Sequence, residues 1–112
     1  MSQRLQKVNE LIKQILNEAM LREIEFPANS LITITRVETT PDIKSSKVSI
    51  SVIPENFRGT ALAILRKKSA IFHQFLKKRL VTKFTPNLKF AIDDQEVFAN
   101  EVEKILDDLQ KK

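Results

Sequence analysis

The chain has no cysteine, no tryptophan and no tyrosine, and only one glycine and one histidine among its 112 residues. Without cysteine there is no disulfide, no thiolate zinc site and no cysteine nucleophile, an absence that fits a reducing compartment. His73 has no second histidine, and no Gly-x-Ser-x-Gly or phosphate-loop motif accompanies it. A catalytic triad or a histidine-based metal site would therefore lack its other members. No apolar run approaches the roughly 20 residues that span a membrane. The opening MSQRLQKVNELIKQIL lacks the continuous apolar block of a secretory signal. The expectation is a cytoplasmic protein that is not an enzyme, holds no cofactor or metal and takes no small-molecule substrate. At this length it forms one domain, able to bury a real core without metal or disulfide staples.

The most informative absence is local. From Asn56 to Ile92 there is no Asp or Glu, yet the segment holds nine bases: Arg58, Arg66, Lys67, Lys68, Lys77, Lys78, Arg79, Lys83 and Lys89. Residues 1–55 carry seven basic and seven acidic side chains and cancel, whereas residues 93–112 carry three and seven. Segregation of this kind suggests a polyanionic partner for the middle segment. A charge run is often only a solvated face, but no (i, i+4) acid can neutralise these bases within the segment. Arg66, Lys67, Lys68, Lys77, Lys78, Arg79 and Lys83 are the first candidates for phosphate contact. Arg36, Lys44 and Lys47 form a second tier. All seven aromatics are phenylalanine, and Phe72, Phe75, Phe84 and Phe90 are expected in the core. That favours recognition of RNA shape and phosphates over base stacking.

Apolar spacing predicts a helix from Arg4 to about Leu21, N-capped by Ser2 and ended before Phe26-Pro27. SLITITRVET and KVSISVI read as strands of an antiparallel hairpin with a loose connection through Pro41-Asp42. In the first, Leu31, Thr33, Thr35 and Val37 fall on one face, with Ile32, Ile34 and Arg36 on the other. In the second, Val48, Ile50 and Val52 point inward, Ser49 and Ser51 outward. Pro54-Glu55-Asn56 opens a helical region whose stripe is Leu62, Leu65, Phe72, Phe75, Leu76 and Leu80. LKFAI is a short strand, and Val97, Phe98, Val102, Ile105, Leu106 and Leu109 mark a last helix. The result is a two-layer α+β domain with helices covering one face of a small three-stranded mixed sheet.

The pieces RLQKVNELIKQIL, ITRVETTPDIKSSKVSISV, the helical pair around SAIF, and TPNLKFAIDD resemble, in that order, the ribosome-binding factor A family. The resemblance implies a type II KH-like domain over residues 1–94, in the order α-β-β-α(kink)α-β, with an acidic amphipathic helix over 95–112. It also implies binding to the free small ribosomal subunit and its ribosomal RNA late in maturation, assisting folding or processing of the RNA's 5′ region, and a role in growth in the cold. The protein is expected to act as a monomer.

The resemblance further implies a helix–kink–helix at Lys68-Ser69-Ala70, where Ser69 and Ala70 would let the backbone turn. This sequence departs from the family's pattern there, having Lys68 at the first position and Ala70 in place of glycine. The stripe also passes through Ser69 without losing phase, so a single unbroken helix is the alternative.

Other residues have two readings each. His73 either sits at the edge of the helix pair or makes a functional contact. Asp93-Asp94 with Glu96 either holds a divalent cation or favours the start of the last helix through its dipole. Asp107-Asp108 reads as solvated surface. Two rival functions are a basic amphipathic helix on an anionic membrane and a protein–protein adaptor in an RNA-containing assembly.

Overall fold

β-Branched residues fill both arms of the hairpin, and they extend as β1 (Leu31–Thr39) and β2 (Ser45–Ile53). Such side chains pack well on a pleated, half-buried surface. The structure, a computed structural model, describes residues 3–82, 84–93 and 95. Ser2, Lys83, Asp94 and the expected C-terminal helix with its Asp107-Asp108 pair lie outside the described residues. The element order is α1 (Gln3–Glu23), β1, β2, a 3-10 turn (Glu55–Phe57), α2 (Arg58–Lys67), α3 (Ser69–Arg79) and β3 (Asn87–Ile92). The sheet order is β1-β2-β3, the first pair antiparallel and the second parallel. The α+β class and the mixed three-stranded sheet agree with the sequence reading.

One core joins the two layers. Ile12, Ile15, Leu16 and Ala19 of α1, Ala61 and Leu65 of α2, and Phe72 and Leu76 of α3 pack with Ile32, Ile34, Val37, Val48, Ile50, Val52 and Phe90 of the sheet. The Phe72 and Phe90 rings meet at 5.4 Å, tilted by 49°, a favourable arrangement for two ring quadrupoles.

β1 does not alternate as its sequence suggests. Ile34 faces Ile50, but the next aligned pair is Arg36 with Ser49, so Thr35 is an inserted bulge residue. Its hydroxyl donates to the Ser49 carbonyl at 3.2 Å. A bulge shifts the side-chain phase by one, and Val37 therefore joins Ile32 and Ile34 in the core instead of sharing a face with Leu31 and Thr33. Ser49 lies outward, as expected, yet is buried.

The hairpin connection is tied down and not loose. Asp42 Oδ1 accepts hydrogen bonds from the Thr40 hydroxyl at 2.6 Å and the Lys44 N–H at 3.1 Å. These donors, the Thr40 hydroxyl first, hold the Asp42 carboxyl below its ordinary value. Ile43 takes the left-handed conformation at φ 59. The Asn87 N–H then donates to the Lys44 carbonyl at 2.9 Å, joining this loop to the start of β3.

The long apolar stripe is carried by two helices. Lys68, at φ −95 and ψ 13, separates α2 from α3. Its own N–H still donates to Ile64, and the helical bonds resume with Ile71 and Phe72 donating to the Lys68 carbonyl. The break falls on Lys68, while Ser69 and Ala70 form the first turn of α3. Negative φ at Lys68 is open to any L-residue, which is why no glycine is needed. The break lets α2 pack on β2 and β3 while α3 packs on α1 and β3.

Candidate nucleic-acid interface

The helix break sets the bases in two groups. Lys67 ends α2, Lys68 sits at the break, and Lys77 and Lys78 lie in the last turn of α3. A helical rise of 1.5 Å per residue places the groups about 14 Å apart. All four lysines are exposed, and none forms an ion pair among the described residues. Four exposed cations without a counter-ion among the described residues suit phosphate binding.

The other candidates are already engaged. Arg66 donates from Nη2 to the Phe90 carbonyl at 3.3 Å, fastening α2 to β3. Arg79 donates to the carboxylate of Glu18 on α1. Arg36 Nε lies 3.0 Å from Glu38 Oε1, too poorly aligned for a hydrogen bond, and its Nη2 is 3.9 Å from Asp93 Oδ1. Lys47 is exposed in register with Glu38 and Lys89, on the sheet face away from the core residue Val48. Lys44 sits with its Nζ 5.3 Å from the centroid of the Phe84 ring. Lys83 lies outside the described residues.

The Arg79 hydrogen bond, its charge and that of Arg22 hold the Glu18 carboxyl below 4.5 despite some desolvation. A depressed carboxyl stabilises the fold above its ordinary value and loses that contribution as pH falls through the lowered one. Glu18 thus masks Arg79 at neutral pH. Glu18→Gln should release one more cation at the end of α3 and steepen the salt dependence of RNA binding by up to about one unit in log K against log[salt]. Titrating binding against salt for both chains checks this.

Between the opening turns of α3 and the start of β3 runs an open groove of about 460 Å³, lined by Ser69, Ala70, His73, Gln74, Asn87 and Leu88. A hydroxyl, an imidazole and two carboxamides stand around it over the half-buried Leu88. His73 therefore sits in the groove beside the lysines. Gln74 and Asn87 escape sequence reasoning, although Ala70, His73, Gln74 and Lys77 share one helical face by spacing. A larger hollow of about 790 Å³ follows α1, where Lys7, Glu10 and Lys13 mix their charges, so it lacks the single sign of the α3 surface.

Asp93 serves the fold. It is buried, and its carboxylate accepts from the Thr35 hydroxyl and from the Gln95 N–H at 2.9 Å. The described residues contain no cluster of three potential metal ligands. Phe84 corrects an expectation: it is 40% exposed, outside the core. Among the described residues, no helix is long and apolar enough to cross a membrane.

Comparison with known proteins agrees with the fold. The family model for ribosome-binding factor A matches residues 4–106. The chain belongs to the ribosome-binding factor A family. It is 31% identical to ribosome-binding factor A of Akkermansia muciniphila over 99% of this chain and 88% of that protein. It is also 31% identical to the Chlamydia pneumoniae protein, over 99% and 95%. Among solved structures, a Thermotoga maritima ribosome binding factor A superposes with a TM-score of 0.72 at 25% identity, covering 84% of this chain and 91% of that one. A Thermus thermophilus ribosome-binding factor A, as fitted into the map of its 30S complex, gives 0.63 at 23%, covering 74% and 88%.

Proposed function

We propose that this member of the ribosome-binding factor A family binds the free small ribosomal subunit through ribosomal RNA, late in maturation, and assists folding or processing of the RNA's 5′ region. The observation that carries this reading is the set of four lysines, without counter-ions among the described residues, flanking the α2–α3 break beside a groove rich in hydrogen-bonding groups. Support comes from the Thermus thermophilus relative, whose coordinates were fitted into a complex with the 30S subunit. Lys67, Lys68, Lys77 and Lys78 contact phosphates, joined by Lys83, and Arg66 and Arg79 flank them. The groove holds the backbone at the break, as a KH-type surface does. Residues 1–94 act as the RNA-binding unit, with the acidic segment 95–112 attached to it, in a cytoplasmic monomer.

Ultraviolet crosslinking in cells, with mapping of the crosslinked nucleotides, tests this. The expected result is a set of crosslinks clustered in small-subunit RNA and assigned to peptides covering 66–79. Association with subunits that survives nuclease treatment, without such crosslinks, would replace the reading by a protein–protein adaptor.

A further inference from the structure

Phe84 has an unusual position for an aromatic ring in a chain with so few of them. It stands in the connection between α3 and β3, 40% exposed, with the Lys44 ammonium 5.3 Å from its ring centroid. Val81, three residues earlier, is 98% exposed. Lys77 and Lys78, in the last turn of α3, come shortly before it in the chain. The connection is also continuous with the groove: Asn87, which lines the groove, donates its N–H to the carbonyl of Lys44. A path therefore leads from the lysines at the helix break, past Ser69, His73, Gln74 and Asn87, to an exposed ring with a cation against it.

We propose that Phe84, with Lys44, stacks on an unpaired nucleobase of the RNA strand that runs along this groove. Every base presents a π-face, so a ring at the end of a cationic path binds bases without choosing among them. The lysine adds attraction for the phosphate next to the stacked base. A duplex cannot supply such a base without unstacking it, so the partner is a loop, bulge or single-stranded segment. This rests on the RNA-binding reading above and adds to it a base contact.

The absence of Trp and Tyr makes the test direct, since Phe84→Trp places the only strongly fluorescent side chain at the proposed contact. The probes are an eight-nucleotide oligoadenylate and an abasic ribose-phosphate chain of the same length. Tryptophan emission should be quenched by the oligoadenylate and not by the abasic chain. Phe84→Leu keeps an apolar side chain but removes the ring. It should weaken oligoadenylate binding about 5- to 150-fold while leaving the salt slope and the thermal melt unchanged. Equal quenching by both probes, or wild-type affinity in Phe84→Leu, overturns the stacking contact and leaves the lysine surface standing. No binding of either probe by the unaltered chain at low salt overturns both readings. Emission of the Phe84→Trp variant that responds to RNA-free small-subunit proteins in place of RNA overturns the base contact in favour of a protein partner.

Discussion

Replacing Lys67, Lys68, Lys77 and Lys78 together by Gln should flatten the dependence of log K on log[salt] by about three units for binding to small-subunit RNA. Each phosphate contact releases counter-ions worth about 0.7 to 0.9 of a unit in slope. Four contacts therefore account for roughly three, and for most of the affinity at low salt. Lys and Gln have nearly equal helix propensity, and the four side chains are exposed, so the fold should be unchanged by circular dichroism. The control is Arg4, Lys7 and Lys13 to Gln, a similar loss of charge on α1. If both variants lose binding equally, net charge alone attracts the RNA and no localised surface exists. If neither does, the contact with the subunit is made by protein. Arg79 is left out of the set because Glu18 already neutralises it.

Phe72→Ala should lower the stability of the domain by about 3–5 kcal/mol, the usual cost of emptying a fully buried aromatic site. Phe72 is completely buried in the core beside Phe90, at a place where α3 packs on both α1 and β3. Small domains have only about 5–15 kcal/mol in total, so the variant should show a large drop in urea midpoint with an unchanged m-value. Leu76→Ala, one turn further on and equally buried, should cost about 2–5 kcal/mol. A loss below about 0.5 kcal/mol, the level of a surface change, would mean that this face of α3 is not packed as described.

The helices and the inward face of β2 are legible because their periodicities are local. Val48, Ile50 and Val52 alternate along one short run of pleat, and all three are core. Val37 is not legible. Its face depends on the extra residue Thr35, which is defined only by pairing with Ser49 on the other strand. The helix break is hidden for a related reason: Ala61, Leu65, Phe72 and Leu76 keep their phase across Lys68, so hydrophobic pattern alone permits one helix or two.

At the candidate site, the basic segment can be read from charge, but the masking of Arg79 by Glu18 joins residues 61 apart in sequence. The Arg66 contact with the Phe90 carbonyl spans 24. Phe84 reads as inward because aromatic residues are mostly buried. Its place in a connection between elements, tied through Asn87 to the hairpin loop, decides otherwise.

β1 is an edge strand, and on its outer side no other strand lies among the described residues. Leu31 and Ile53 form an exposed cross-strand pair at one end, 60% and 56% accessible. A long regular edge of this sort is a template on which a second copy can extend the sheet. Thr35 divides it into Leu31–Ile34 and Arg36–Thr39, two short stretches whose backbone groups no longer run in one straight row. The bulge thus blunts the edge against pairing with another chain. Removing Thr35 would restore an even edge while leaving Arg36 opposite Ser49 and Val37 opposite Val48, still in the core.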